Sequence, residues 1–208
     1  MPALWLALFA CRLEPADICG TYTACVSTVD ATRATATQLA YGPESACWES
    51  EEEHDACAAA CEGGLSELHE TFPVTEACDD GTGPQAAAVF SARDRWHYAV
   101  DALGGDCADA TIEDVEVTFY AGEGPAFTAR VDLDGALDGG QFETGCTLTW
   151  DRWSCEVADD LLSSAPATWR LSGSFAPALL SGDLYVAGDQ PAEGGDCTVE
   201  AEASGAPR

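Results

Sequence analysis

The sequence predicts an α+β protein, with an N-terminal disulfide-stapled helical hairpin followed by an antiparallel β-sandwich or β-barrel. Three observations predict it. Apolar residues recur at spacings near 3.6 from Asp17 to about Asp80, the mark of helices with one buried face. After Gly81-Thr82-Gly83-Pro84 the period drops to two, and glycine-rich turns separate the alternating stretches. Eleven cysteines are dispersed along 208 residues without a single CxxC pair, a usage that fits disulfides in an oxidising compartment better than metal sites. The hairpin is expected over residues 19–80 and the all-β domain over 85–204.

The chain begins with an unbroken apolar run, Met1-Pro2-Ala3-Leu4-Trp5-Leu6-Ala7-Leu8-Phe9-Ala10, directly followed by Cys11. At ten residues the run is too short to span a bilayer, which takes about 20. Its last residues with the cysteine, Leu8-Phe9-Ala10-Cys11, resemble the lipobox of bacterial lipoproteins. The resemblance implies that residues 1–10 are a signal peptide and that Cys11 is the lipidated N-terminus of the mature chain. It implies attachment through diacylglycerol to the bacterial cell envelope, with the outer membrane as the expected address. Residues 11–18 are then a lipidated tether. The seven residues between Cys11 and Cys19 reach at most ~25 Å. Setting Cys11 aside leaves ten cysteines, an even set able to form five disulfides.

The first helix is read from Ile18, Tyr22, Val26, Val29, Ala36 and Leu39, and Gly42-Pro43 stops it. The second starts at Ser50-Glu51-Glu52-Glu53, where Ser50 can cap, Glu53 can reach back, and the acidic turn complements the helix dipole. Cys57, Cys61, Leu65 and Leu68 then line one face, although Gly63-Gly64 weakens the helix by about 1 kcal/mol per glycine. Phe72-Pro73 ends it. Two helices joined by a turn run antiparallel, and an antiparallel pair favours nested bridges: Cys19–Cys78, Cys25–Cys61 and Cys47–Cys57. About 60 residues in two helices bury too little surface to stand without such staples.

The strands follow in order. Trp96, Tyr98 and Val100 alternate with His97 and Ala99, and Val115, Val117 and Phe119 with Glu116 and Thr118. Phe127, Ala129, Val131 and Leu133 alternate with Thr128, Arg130 and Asp132, and Trp169, Leu171, Gly173 and Phe175 with Arg170, Ser172 and Ser174. Further strands are expected at Asp183–Ala187 and Cys197–Ala203. A hairpin around Asp151-Arg152 has two possible registers. The preferred one makes Thr149–Arg152 the loop, so that Leu148 opposes Trp153 and Cys146 opposes Cys155 in a cross-strand disulfide. That bridge is worth roughly 3 kcal/mol on the chain-entropy account, and the remaining pair, Cys107–Cys197, closing about ninety residues, roughly 4.5 kcal/mol.

Charge is the outlying bulk property. Thirty-seven acidic residues face eight arginines and no lysine, giving a net charge of −29. Such a field repels nucleic acid and anionic headgroups, so no nucleic-acid partner is expected. A solvated acidic surface is the plainer reading, against an acidic face made for a cationic partner.

Catalytic motifs are missing. His54 with Cys47, Cys57 and Cys61 has zinc-ligand residue types, but paired cysteines in an exported chain point to disulfides. His69-Glu70 begins like a zincin motif, and Pro73 stands where its second histidine belongs. His97 is expected to point from a strand to solvent. There is no Gly-x-Ser-x-Gly elbow, and a phosphate-binding loop needs the lysine this chain lacks. Carboxylates are so common that no glycosidase pair stands out. The one ligand candidate is calcium at Asp132, Asp134 and Asp138, three carboxylates in a turn-like stretch whose spacing is not that of an EF-hand and whose Asp and Gly also suit a turn. Asp106, Asp109 and Asp114 form a weaker group. Trp150, Trp153 and Trp169 can either fill a core or form an exposed row that binds sugars or partners.

The function expected is therefore a non-enzymatic envelope lipoprotein that binds a protein or glycan partner. The alternatives are a secreted hydrolase using carboxylates or bound calcium, and a purely structural envelope component. An enzyme should gather polar side chains in one concave pocket of the β-domain, a binding module should show an exposed aromatic patch, and a structural component neither.

Overall fold

The computed structural model describes residues 13–91, 93–107, 112–134, 141–159, 168–192 and 195–208. Cys11 and residues 1–10, expected from the sequence to be a signal peptide, lie outside these residues.

The N-terminal region holds three helices where two were expected: α1 (Asp17–Val29), α2 (Ala31–Tyr41) and α3 (Glu51–Thr71), with short 3-10 turns at Ala46–Trp48 and Glu76–Cys78. The extra break falls at Asp30. Its carboxylate accepts hydrogen bonds from the Thr32 and Arg33 amides at 3.1 and 3.2 Å and from the Thr32 hydroxyl at 2.6 Å. An aspartate that caps a new helix competes with continuation of the old one, so the chain turns there. Leu39, read as part of a buried face, is consequently 75% exposed, and Thr37 is the buried residue of α2.

This break also corrects the bridge pattern. The disulfides are Cys19–Cys61 and Cys25–Cys78, partners exchanged relative to the nested expectation, together with Cys47–Cys57 as read from the sequence. Two helices would run antiparallel, but α2 returns the chain, so α3 runs in the same direction as α1. The contacts advance together: Cys19 meets Cys61, the Tyr22 ring lies over Gly64, and Cys25 meets Cys78 beyond the helix end. A β-carbon at Gly64 would stand 2.7 Å from the Tyr22 ring, so the glycine that weakens α3 is what lets α1 approach it. Ser50 caps α3, accepting from the Glu53 amide at 3.2 Å and donating to the Glu53 carboxylate at 3.0 Å.

A five-residue helix, α4 (Ala86–Phe90), precedes the sheet. The strands are β1 (Arg95–Gly105), β2 (Asp114–Ala121), β3 (Ala126–Asp134), β4 (Gln141–Thr149), β5 (Arg152–Cys155), β6 (Ala158–Asp159), β7 (Thr168–Phe175), β8 (Gly182–Ala192) and β9 (Gly195–Pro207). Strands β1 to β5 pair antiparallel in sequence order, as do β6 to β9, while β9 pairs with β1 and β5 pairs with β7. The last pairing closes a ring of eight strands, with the two-residue β6 continuing alongside β7. The sheet is thus a closed up-and-down barrel, and the sandwich alternative is set aside, because a sandwich would leave open edges that this ring removes.

The β4–β5 hairpin has the preferred register: Cys146 opposes Cys155, Leu148 opposes Trp153, and the Cys146–Cys155 bridge is formed. Cys107 and Cys197 are bonded as well. Alternation sends the apolar residues inward, and α4 seals the barrel by inserting Phe90, whose ring stacks on Phe119 at 4.6 Å and meets Phe127 at 5.0 Å.

Candidate functional site

The lumen is occupied by the protein's own aromatic residues. Trp96, Tyr98, Phe119, Trp153, Trp169 and Phe175 are all buried there, so of the candidate binding row Trp153 and Trp169 are core, and Trp150 is half-buried in the β4–β5 turn at φ 53°. An eight-stranded barrel is wide enough for side chains to fill, and here they do. The Tyr98 hydroxyl and the Trp153 and Trp169 Nε1 atoms find no hydrogen-bond partner among the described residues. Burial, reinforced by the charge of Asp183 beyond the wall, pushes the Tyr98 phenol far above its ordinary range.

The outer wall is polar. Glu116, Arg130, Glu143, Arg170, Asp183 and Glu202 all project from strands whose alternate residues are buried. A lipid-spanning barrel needs the reverse, an apolar exterior around a polar interior, so this barrel is built for water outside. Among the described residues no helix is long and apolar enough to cross a membrane.

One concavity stands out on that wall, a groove of about 660 Å³ running over β5, β7, β8, β9 and β1. Its origin is a difference in side-chain size. Within the groove the outward residues of β7 are Ser172 and Ser174, flanking Gly173, and they form a low floor. Arg152 pairs with Ser174 from the β5 side, and Asp183 pairs with the same serine from the β8 side. Ser154 and Tyr185 flank Ser172 in the same way. The walls therefore stand two strand spacings apart, about 10 Å. Glu202, across from Tyr185 on β9, extends the acidic wall. The β1 ladder shifts register between Val100 and Ala102, and Asp101, left unpaired at that bulge, joins the groove rim.

The groove's chemistry is two-signed. Arg152 stands on one wall, and Asp101, Asp183 and Glu202 on the other. The Ser174 hydroxyl donates to Asp183 Oδ2 at 3.3 Å, orienting that carboxylate across the floor. Tyr185 is the groove's exposed aromatic ring. Partial burial, then the neighbouring Glu200 carboxylate, push the Tyr185 phenol up.

Apart from Trp153, whose buried ring underlies Gly173 in the groove floor, the residues singled out from the sequence lie elsewhere. Asp132 projects from β3, where the Gln141 side chain donates to it at 3.4 Å. Asp134 ends β3 and Asp138 lies outside the described residues, so the calcium reading is not assembled by the described part. Asp106 accepts from the Thr198 amide at 2.7 Å, Asp114 lies 3.6 Å from His97, and Asp109 is outside the described residues. His69 is buried, with Nδ1 3.1 Å from the Cys78 carbonyl, while His54 packs edge-on to Trp48. Cys47 and Cys57, its supposed zinc partners, are bonded to each other and Cys61 to Cys19. Among the described residues no three His, Cys, Asp or Glu come together as a metal site. The groove itself carried one sequence signal, the small outward residues of Ser172-Gly173-Ser174 amid charged strands, but only the closure of β5 onto β7 gives it walls.

No family model and no curated protein matches the chain.

Proposed function

We propose that this protein is an exported envelope lipoprotein, anchored at Cys11, whose β-barrel is a non-enzymatic binding module that takes a glycan in the groove over β7. The observation that carries the reading is the groove, where an exposed aromatic ring, hydroxyls and charges of both signs line one concave surface. Ring stacking with peripheral hydrogen bonding is what a sugar requires, since a pyranose offers a C–H face and a rim of hydroxyls. Five disulfides support an oxidising, exported setting. The lipobox resemblance supports anchorage.

The hydrolase alternative draws on one specific observation: Asp101, Asp183 and Glu202 share the groove. All three are exposed, without the dry surroundings that separate the roles of a catalytic acid and base. Binding is the better-supported reading.

Two measurements test it. Mass spectrometry of the membrane fraction is expected to find a diacylglyceryl-modified peptide beginning at Cys11, and an intact Met1 peptide defeats the anchor. Glycan-array screening of the barrel-bearing chain is expected to give hits that Tyr185→Ala abolishes. Release of reducing ends from a bound glycan would favour the hydrolase.

A further inference from the structure

The charge arrangement of the groove narrows the ligand, on the footing that the groove binds a glycan at all. We infer that the ligand is an amino-sugar glycan carrying free, protonated amines, in place of a neutral or acidic one.

Three features argue for it. The wall formed by β8, β9 and the β1 bulge presents Asp183, Glu202 and Asp101, and the facing wall presents a single cation, Arg152. A neutral sugar leaves the mutual repulsion of three carboxylates unrelieved, and a uronic acid adds to it. A bare polycation satisfies the acidic wall but meets Arg152 on the other side. An amino sugar suits both walls: its ammonium faces the carboxylates in charge-assisted hydrogen bonds, while its hydroxyl and ring oxygens accept from Arg152.

The floor and the ring set the shape. Ser172, Gly173 and Ser174 leave a channel one strand wide, and the walls, about 10 Å apart, admit one pyranose thickness with room for its substituents. Tyr185, an exposed ring lining the groove, offers the stacking face. The volume, near 660 Å³, falls in the range of small-ligand clefts and suits a short oligosaccharide segment in place of a protein surface.

The test uses the full chain and three trisaccharides of matched linkage: glucosamine, N-acetylglucosamine and galacturonate oligomers, titrated by calorimetry and followed by backbone NMR. The glucosamine trimer is expected to bind with shifts confined to β5, β7, β8, β9 and the β1 bulge, and about tenfold or more tighter than its N-acetylated form. Asp183→Asn and Glu202→Gln are each expected to weaken it about tenfold, and Arg152→Ala to weaken it less. Glu143→Gln, an equal charge change on the distant β4 exterior, is expected to leave it unchanged. Equal or tighter binding of the N-acetylated trimer would overturn the inference while leaving the glycan reading intact. Equal weakening by Glu143→Gln would also overturn it, since the attraction would then belong to the net charge of the whole protein. Binding of none of the three at the groove would defeat the glycan reading and the inference with it. Heteronuclear spectra of each variant separate lost binding from lost folding.

Discussion

Trp169 on β7 lies directly across the ladder from Gly188 on β8, and a β-carbon at Gly188 would stand 2.5 Å from the indole ring. The same arrangement recurs around this half of the barrel. Trp153 opposes Gly173, Phe175 opposes Gly182, and Tyr98 opposes Gly205, each aromatic ring lying over the glycine of the neighbouring strand. The barrel thus fits large rings into its lumen by deleting the facing side chains, and each ring shields a backbone that glycine would leave bare. A lumen filled this way leaves the outer wall as the place for the binding groove proposed above.

Gly188→Val is expected to destabilise the barrel by about 1–3 kcal/mol, because the added methyls overlap Trp169 and the core cannot yield without moving strands. Trp169→Leu in the same chain should recover part of the loss. The denaturant midpoints of the two single variants and the double variant give the coupling, which a purely local effect of β-propensity at position 188 would not produce.

Replacing the bridged pairs by serine separates long-range from local stapling. Loss of Cys107–Cys197, with a sequence separation of 90, is expected to cost about 4–5 kcal/mol, and loss of Cys146–Cys155, with a separation of 9, about 2.5–3 kcal/mol. Equal costs in urea unfolding would show that bridge strain or residual structure in the unfolded chain outweighs loop closure.

These bridges also mark where sequence and structure part. Cys146–Cys155 was legible because a hairpin register is local and alternation permits few choices. Cys107–Cys197 followed by elimination. The exchange between Cys19–Cys61 and Cys25–Cys78 was not legible, because it turns on Asp30. The apolar period runs through Val29 to Ala36 as though the helix continued, and only the carboxylate's bonds to the Thr32 and Arg33 amides end it. That side chain adds a helix, reverses the direction of the next, and re-pairs four cysteines. Closure of the barrel was hidden for a related reason: strand alternation is identical in a sandwich and a barrel, and the pairing of β5 with β7 is a long-range contact.

Alkali should report on Tyr98. Its phenol is held far above the ordinary 10.0 by burial and by the nearby Asp183 charge. The folded state therefore keeps this proton where the unfolded chain releases it, and stability falls as pH rises beyond about 10. Of five tyrosines, this one is expected to ionise only when the barrel opens, seen as a step in tyrosinate absorbance coincident with loss of near-UV circular dichroism. Tyr98→Phe should remove the step and raise stability by about 1 kcal/mol, since the hydroxyl has no partner among the described residues. Ionisation of every tyrosine ahead of unfolding would contradict the burial.

Acid acts through different groups, and two effects oppose each other. Asp30 is held below its usual 3.8 first by the Thr32 hydroxyl, and Asp189 first by the Thr198 hydroxyl and then by Arg170. Asp80 is also lowered: burial works against it, but hydrogen bonds from the Thr32-like pair of donors on Thr82, its hydroxyl and amide, prevail. A carboxylate whose folded value is depressed stabilises the fold above its unfolded value and gives this up as pH falls through the folded one. Meanwhile protonation of the other acidic residues relieves the repulsion of a chain carrying −29, so total stability is a poor readout. The difference between wild type and a triple variant, Asp30→Ala, Asp80→Ala and Asp189→Ala, isolates the three. Wild type is expected to be the more stable at neutral pH, with the gap constant down to about pH 4 and closing below 3.8. A gap that persisted unchanged at pH 2 would mean that these side chains act through packing, independent of their charge.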